Sequence, residues 1–241
     1  MEDAEYTLMD AAEDRMWWYR AVHARLLDTL AARPGVASLP LLDAGCGTGG
    51  FLRRLAEASP RPSLGLDYNP RAAARAGAKS GQPVTAGTVN ELPFPDAAFG
   101  AAVSVDVLSH AGADQERALA ELHRVLAPGG TLVLNLPAYA WLFSAHDRRV
   151  HNARRYTAGR AAALLRAAGF AEVSARYWNG LLLPLMVLQR KVLARGDTHA
   201  SDVGDFPPWL DRLLHGVSDL ERRAGLPLPA GGSVLLAATR P

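Results

Sequence analysis

Two aspartates and a run of glycines carry the most specific chemistry in this sequence. Asp43 and Asp67 each end a short apolar segment, and a turn that contains Gly45 and Gly47 follows the first of them. Glycines let a backbone approach a ligand closely, and the helix predicted after the turn offers unpaired N–H groups. Asp67 lies 20 positions beyond Gly47, where a carboxylate can accept hydrogen bonds from both hydroxyls of a ribose. Together these features predict a site for a cofactor that contains a nucleoside.

A dinucleotide is one alternative, because the glycines at 45, 47 and 50 also fit the G-x-G-x-x-G fingerprint. Three features argue against a nicotinamide dehydrogenase. Asp43 would repel a pyrophosphate, whereas it could hold the amino group of an amino-acid-like ligand. A Pro-Gly-Gly turn at 128–130 separates a predicted helix from the strand predicted at 131–136. Finally, only one nucleotide-binding half is visible in the sequence.

Four motifs resemble those of a known family. They read LDAGCGTG at 42–49, GLD at 65–67, LPFPD at 92–96 and LHRVLAPGG at 122–130. In this order and spacing, over residues 15–178, the chain resembles the class I S-adenosylmethionine-dependent methyltransferases. WWYR at 17–20, the His-Asp pair at 146–147 and RRYT at 154–157 resemble a bacterial small-molecule subgroup of that family.

This resemblance implies S-adenosyl-L-methionine as the cofactor and gives roles to individual residues. The glycine loop would pass beneath the methionine part, and Asp43 or a backbone carbonyl near Gly45 would meet its ammonium group. Asp67 would bind the ribose. Tyr68 could lie against the adenine, and Thr88 stands where relatives often carry an acid that contacts the adenine amino group. We therefore expect the cofactor to be bound by Trp17, Arg20, Asp43, Gly45, Gly47, Asp67, Tyr68, Thr88, Val89 and Val105.

Several of these residues also have a structural explanation. Arg20 could pair with the methionine carboxylate and Trp17 could cover it, but helix packing would account for both. Asp67 could instead cap the end of its strand. The chain departs from the subgroup at Met16, where a histidine is common, and at Ser109, where a glutamate is usual. These two departures concern the substrate side of the site.

Methyl transfer is a displacement at a carbon that a positive sulfur already activates, so the protein supplies orientation and, for an alcohol or phenol, a base. His110 follows the predicted strand 99–105 and His146 follows the strand 131–136. Loops at the carboxyl ends of parallel strands face the ligand crevice. We predict His146 and His110 as catalytic residues; the alternative is that both only fix their loops. An amine acceptor would need no base, and no metal is predicted.

Substrate-binding residues are predicted beyond the fifth strand. Tyr139 and Trp141 could line an acceptor pocket, and Arg155 and Tyr156 lie in the most basic stretch of the chain, which could bind a carboxylate or phosphate. Side-chain packing and internal salt bridges are the alternatives. The apolar run at 181–188 could close over a hydrophobic acceptor, pack on the N-terminal helices, or contact a second subunit.

The spacing of apolar residues predicts the elements that position these groups. Strands and helices alternate from residue 40 onwards, which favours an α/β fold with a doubly wound, mostly parallel, seven-stranded Rossmann-like sheet. We expect an N-terminal helical cap at 1–35, a cofactor-binding core at 36–179 and a final core strand at 232–241. Between them we expect a helical lid at 180–231, with helices at 181–195 and 207–223 around a polar gap at 196–205.

Composition excludes several classes of protein. The formal net charge is only +2, so no large field favours nucleic acid. The single cysteine, Cys46, rules out an internal disulfide and fits a reducing cytoplasm. The acidic N-terminus is unlike a secretory signal, and no apolar run reaches the ~20 residues that span a bilayer. We expect a cytoplasmic protein without a nucleic-acid partner or membrane segment, and possible homodimers through residues 180–231.

These observations predict an S-adenosylmethionine-dependent methyltransferase that acts on oxygen or nitrogen of a small, partly hydrophobic acceptor, for example in natural-product biosynthesis. The alternative is a protein of the same fold that binds this cofactor but catalyses another reaction, such as a cyclisation. A nucleic-acid methyltransferase is disfavoured by the near-neutral charge.

Overall fold

The computed structural model describes residues 3–190 and 206–241, and within them seven strands form a single sheet. The strands are β1 (Leu41–Ala44), β2 (Ser63–Asp67), β3 (Val84–Ala86), β4 (Phe99–Val105), β5 (Leu126–Pro137), β6 (Ala171–Trp178) and β7 (Ser233–Thr239). Their order is β3-β2-β1-β4-β5-β7-β6. Strand β7 runs antiparallel between β5 and β6, while the other described pairings are parallel. The predicted seven-stranded α/β fold is confirmed, and its sheet is mixed.

Helices connect these strands and precede them. They are α1 (Asp3–Ala12), α2 (Trp17–Ala32), α3 (Gly50–Ala58), α4 (Pro70–Ser80), α5 (Gln115–Val125), α6 (Ala145–Arg149), α7 (Ala158–Ala167), α8 (Leu183–Leu188) and α9 (Pro208–Ala224). A short 3-10 helix, Ala140–Leu142, lies between β5 and α6. Strand β5 begins at Leu126 rather than at the predicted residue 131, because Leu126 already pairs with Phe99 of β4.

The central strands are buried on both faces. In β4, Ala102 contributes to one hydrophobic cluster, while its neighbours Ala101 and Val103 contribute to another on the opposite face. The same alternation separates Leu42 from Leu41 in β1, as expected for side chains that point alternately to the two faces of a sheet. Helices α5 and α7 cover the first face, and helices α2 and α3 cover the second. The ends of the strands are therefore the accessible part of the sheet.

The segment between β6 and β7 packs on the start of α2. Leu182 and Leu214 are buried against Trp17, which supports the predicted contact with the N-terminal helices. The apolar run at 181–188 is only partly buried, since Leu181 and Leu185 remain exposed. Helix α8 is shorter than the predicted helix 181–195 at its start; residues 191–195 and the predicted gap 196–205 lie outside the described residues. No described helix is both long enough and apolar enough to cross a membrane.

Candidate active site

The turn after β1 has a backbone that requires glycine. Gly45 and Gly47 have φ angles of +90° and +56°, in the left-handed region that side chains disfavour. A Cβ on Gly45 would lie 2.1 Å from a methyl carbon of Val107, and one on Gly47 would lie 2.6 Å from the terminal methyl of Met9. The turn is therefore a narrow passage where backbone can contact a ligand directly.

Asp67, at the end of β2, is held by three donors. The backbone N–H of Gly47 donates to Oδ2 at 2.9 Å, and the N–H of Asn69 donates to Oδ1 at 2.9 Å. The hydroxyl of Tyr6, on α1, donates to the same Oδ1 at 3.1 Å. Burial raises the pKa of Asp67, and these hydrogen bonds oppose that rise. The carboxylate thus ties the glycine turn to β2, and it already accepts a hydroxyl from outside these two elements.

A cavity of about 240 Å³ opens beside this turn, at the carboxyl edge of the sheet. Asp43 lines it and is only 2% exposed, and its Oδ2 atom has no hydrogen-bond partner among the described residues. Burial raises the pKa of Asp43 to about 8, and the neighbouring charges of Asp67 and Glu13 add to the rise. We call Asp43, Gly45, Gly47 and Asp67 the cofactor half of the crevice; Asp67 does not line the cavity itself, but it accepts the N–H of Gly47, which does.

Helix α2 supplies aromatic side chains to the same cavity. Both Trp17 and His23 line the cavity. Among the described residues, the buried indole N–H of Trp17 has no acceptor and the buried Nδ1 of His23 has no hydrogen-bond partner. The ring of His23 lies between those of Tyr19 and Phe51, at centroid distances of 6.2 and 5.4 Å. Burial lowers the pKa of His23 to about 3, so its imidazole is neutral near pH 7. Both residues can therefore hydrogen-bond a polar ligand.

The other side of the cavity is formed by residues after β4, β5 and β6. We call Asp106, His146, Arg155 and Asn179 the acceptor half of the crevice; all four line the cavity. Asp106 has a left-handed backbone, with φ of +56°. Its Oδ1 accepts the Nδ2–H of Asn135 at 2.8 Å. Burial raises the pKa of Asp106 to about 7, although the bond from Asn135 opposes this.

The guanidinium of Arg155 makes its hydrogen bonds within the protein. Its Nε and Nη2 donate to the two oxygens of Asp147, each at 2.9 Å, and Nη1 donates to the carbonyl of Ala138. Both charged side chains are almost fully buried. Arg155 lines the cavity as predicted, but its charge is balanced by Asp147. It therefore fixes the segment that carries His146 rather than offering free donors to a carboxylate or phosphate.

Among the predicted catalytic histidines, His110 also lines the cavity. Burial lowers its pKa to about 4, which leaves a neutral imidazole near pH 7. Among the predicted cofactor residues, Trp17, Asp43, Gly45, Gly47 and Val105 line the cavity. No group of three or more potential metal ligands is found in residues 3–190 and 206–241.

Other predicted residues lie away from the cavity lining. Arg20 pairs with Asp211 of α9, so the expected contact with a methionine carboxylate would require that pair to open. Tyr68 is 81% exposed, and Trp141 is half exposed. Tyr156 is buried, and its hydroxyl donates to the carbonyl of Leu108 at 2.7 Å, which is a packing role. Thr88, Val89 and Tyr139 are likewise absent from the lining of the cavity.

Sequence reasoning missed Asp106, Asn179 and Tyr6. Asp106 directly follows β4, just as Asp67 ends β2. An acid at the end of a strand could therefore have identified Asp106 as a site residue. Asn179 and Tyr6 offer none, because tertiary packing alone brings them to the site. The turn at Asn179 is fixed by Glu221 of α9, which accepts the backbone N–H of Asn179 at 2.6 Å.

Comparisons with known proteins agree with this geometry. Residues 42–134 match the family described as a methyltransferase domain. A probable S-adenosylmethionine-dependent methyltransferase of Mycolicibacterium smegmatis is 31% identical over 171 residues, covering 69% of this chain and 63% of that protein. The 24-methylenesterol C-methyltransferase 2 of rice is 37% identical over 130 residues, covering 51% of this chain and 34% of that protein. The chain thus spans less than two thirds of these relatives.

A solved structure has the same fold over the whole chain. The protein is a possible histamine N-methyltransferase of Thermotoga maritima, with a TM-score of 0.61 and 19% identity, covering 99% of this chain and 95% of that one. The match to the domain family runs from within β1 to within β5 and includes the glycine turn and Asp67. Residues 42–134 are therefore similar to a methyltransferase domain, and the chain around them is similar to a probable S-adenosylmethionine-dependent methyltransferase.

Proposed function

We propose that the protein transfers the methyl group of S-adenosyl-L-methionine to oxygen or nitrogen of a small, partly hydrophobic acceptor. The observation that carries the proposal is the buried Oδ2 of Asp43, which has no partner beside the glycine turn. A buried carboxylate without a partner is costly, and a cation removes that cost. This cofactor carries an ammonium group and a positive sulfur, whereas a dinucleotide would bring a negative pyrophosphate to the same place.

The residues of the cofactor half fit this group. Asp43 would receive the ammonium, the passage at Gly45 and Gly47 would accommodate the methionine part, and Asp67 would accept the ribose hydroxyls. The indole N–H of Trp17, which lacks an acceptor, is suited to the methionine carboxylate. In this arrangement Arg20 stays with Asp211 and stabilises the contact between α2 and α9.

When bound, the cofactor supplies an electrophilic methyl group. The chain contributes a cavity whose aromatic walls exclude water and orient the acceptor. For an alcohol or phenol, a neutral imidazole would take the proton, and both His146 and His110 line the cavity. Burial lowers the pKa of His110 to about 4, and an imidazole with so low a pKa is a weak base.

The names of the relatives do not identify the acceptor. The rice protein is named for a sterol and the Thermotoga protein for histamine, so members of this fold act on chemically different acceptors. We propose the same division of the chain as the sequence suggests: a cap at 1–35, a core at 36–179, a lid at 180–231 and a last strand at 232–241. Several leucines of the lid are exposed, and we also propose that the protein forms a homodimer through this segment.

Calorimetric titration with S-adenosylmethionine, and separately with NADH, tests the cofactor. We expect binding of the first alone, and weaker binding to the Asp43→Asn variant. Incubation with methyl-labelled cofactor and cell extract, followed by mass spectrometry, then tests the reaction. Labelled product together with S-adenosylhomocysteine supports methyl transfer. A converted substrate without S-adenosylhomocysteine would support the cyclisation alternative, and binding of NADH alone would contradict the proposal.

A further inference from the structure

We propose that the acceptor half of the crevice binds an amine, with Asp106 receiving the ammonium group and then its proton. The inference rests on the proposed function and narrows it to N-methylation. It begins from two side chains with oxygen atoms that line this side of the cavity, Asp106 and Asn179.

Asp106 is held towards the cavity by its neighbours. Its backbone N–H donates to the carbonyl of Asn135 at 2.8 Å, and the side chain of Asn135 donates to its carboxylate. The indole N–H of Trp178 donates to Oδ1 of Asn135 at 2.8 Å, which fixes that amide. The left-handed backbone of Asp106 is strained for a residue with a side chain, and such strain persists only where the surroundings impose it. Neighbouring residues therefore hold the carboxylate in one position at the cavity.

Among the described residues, no arginine, lysine or histidine nitrogen forms an ion pair with Asp106. Burial raises the pKa of Asp106, and the charges of Arg155 and Arg190, which both line the cavity, oppose this rise. The guanidinium of Arg155 donates to Asp147 and Ala138, and that of Arg190 donates to the carbonyl of Leu142. A buried carboxylate without a direct ion pair is stabilised by a cation that arrives from solution.

Asn179 adds a second acceptor atom that points to the same ligand chemistry. The residue is fully buried, and its Oδ1 has no hydrogen-bond partner. Its backbone is fixed, because Glu221 accepts the N–H groups of Asn179 and Gly180. A protonated primary amine has three N–H donors, whereas an alcohol has one and a carboxylate has none. An ammonium group can therefore donate to both oxygens and still carries a third N–H.

The remaining walls suit a cation with an apolar body. Trp18, Tyr19 and Phe206 line the cavity, and Trp18 stacks on Trp178 at a centroid distance of 6.2 Å. Aromatic faces attract ammonium groups and bury apolar carbon atoms. Burial raises the pKa of Tyr19, so its ring stays a neutral phenol at physiological pH.

The reaction requires the nitrogen to lose a proton before it attacks. The carboxylate of Asp106 takes that proton from the bound ammonium, which leaves a neutral amine with a free lone pair. The lone pair forms the new nitrogen–carbon bond while the methyl carbon–sulfur bond breaks and its electrons remain on sulfur, leaving a neutral thioether. The methylated nitrogen becomes the new ammonium, and the proton on Asp106 passes to solvent when the product leaves.

The test compares three probes of nearly equal size in calorimetric titrations: benzylamine, benzyl alcohol and benzoate. They are titrated into protein saturated with S-adenosylhomocysteine. We expect benzylamine to bind at least about tenfold more tightly than the other two. Equal binding of the three, preference for the alcohol or benzoate, or no binding of any probe would overturn the proposal. This ranking needs no variant, so it holds even if a substitution prevents folding.

Two variants locate the preference. Asp106→Asn should bring benzylamine close to benzyl alcohol, while Asp96→Asn, which neutralises an exposed acid paired with Arg124, should keep the tenfold difference. A preference that survives Asp106→Asn would contradict the role of Asp106. Repeating the ranking on cofactor-free protein separates the two proposals: if S-adenosylhomocysteine does not bind, the proposed function fails, while the amine ranking still decides this inference.

Discussion

The two halves of the crevice satisfy their polar groups in different ways. In the cofactor half, Asp67 accepts three hydrogen bonds, two of them from backbone N–H groups within the glycine turn and at Asn69. In the acceptor half, Asp106 has one side-chain partner, and Oδ1 of Asn179 has none. The rigid part of the acceptor half is instead the buried pair of Asp147 and Arg155.

This difference follows from how each half is assembled. The donors to Asp67 that belong to the core come from the loop after β1 and from the residue that caps α4. They are close in sequence and belong to one βαβ unit. In the acceptor half, Asn135 donates to Asp106 and Glu221 accepts from Asn179, and these residues are far apart in the chain. Asp67 therefore has core donors that are local in sequence, while each half still presents an oxygen without a hydrogen-bond partner among the described residues, Oδ2 of Asp43 and Oδ1 of Asn179.

The largest expected effect tests the ion pair under the acceptor half. Asp147→Asn leaves the guanidinium of Arg155 buried beside a neutral amide, and breaking a buried pair in this way costs about 3–5 kcal/mol. We expect the free energy of unfolding in urea to fall by that amount. Arg223→Ala is the control, because its pair with Asp219 is largely exposed and should contribute at most about 1 kcal/mol. Equal effects of the two variants would mean that the acceptor half does not depend on the buried pair.

The second prediction concerns Asp43, in the cofactor half. Its pKa of about 8 lies above the ordinary 3.8, so the folded protein keeps a proton that the unfolded chain releases. Stability of the cofactor-free protein should therefore fall as pH rises from about 4 to about 8, by up to about 1.4 kcal/mol per pH unit from this group. Asp43→Asn should remove this slope and weaken cofactor binding.

Thermal and urea unfolding at several pH values measure the difference between the variant and the natural protein. Asp96→Asn, at an exposed site, should leave the slope unchanged. If Asp43→Asn gives no growing advantage in stability with pH, the carboxyl group is ionised in the folded protein at neutral pH. The cost that we assign to its missing partner would then be absent.

The comparison also explains which parts of the site the sequence could predict. Asp43, Gly45, Gly47 and Asp67 lie in motifs where spacing along the chain determines distance in space, because a strand, a turn and a helix form one local unit. The strand and helix pattern was predictable for the same reason. Arg155 shows the limit of such reasoning. Its position near the cavity was predicted, but its partner Asp147, which balances its charge, was not.

Asn179 and Tyr6 show why the remainder could not be predicted. Neither lies in a motif, and each reaches the crevice through packing of a helix that is distant in sequence. Asn179 depends on Glu221 of α9, and Tyr6 depends on where α1 lies over the sheet. Tyr68 is the opposite case, since it follows Asp67 directly in the sequence but its side chain is exposed to solvent and does not line the cavity. Adjacency does not determine which way a side chain at a strand end points.

The third prediction separates the two halves by ligand. Asp67→Ala should weaken binding of S-adenosylmethionine by about 1–3 kcal/mol, because hydrogen bonds to a charged acceptor are lost. Asp106→Asn should leave that affinity unchanged, since Asp106 belongs to the acceptor half. Calorimetric titration of both variants measures this, with circular dichroism to verify folding. Unchanged affinity in Asp67→Ala would show that the carboxylate only caps its strand and turn.

The smallest effect has the opposite sign and concerns Tyr6. Its hydroxyl occupies Oδ1 of Asp67, the kind of hydrogen bond that a ribose hydroxyl would make there. Tyr6→Phe removes this competitor while keeping the ring on α1. We expect cofactor affinity to rise by about 0.5–1.5 kcal/mol, the net value of one hydrogen bond, or about 2- to 12-fold. Tyr68→Phe, which removes an exposed hydroxyl next to Asp67 in the sequence, should change nothing.

The sign of this change decides how α1 takes part. Tighter binding means that the hydroxyl of Tyr6 holds the place of the ribose and must leave when the cofactor enters, so Asp67 is satisfied without a ligand because the chain supplies its own substitute. Weaker binding would mean that Tyr6 stays and adds a contact to the bound cofactor. Both halves of the crevice would then be built from distant segments, and the contrast between them would be one of degree.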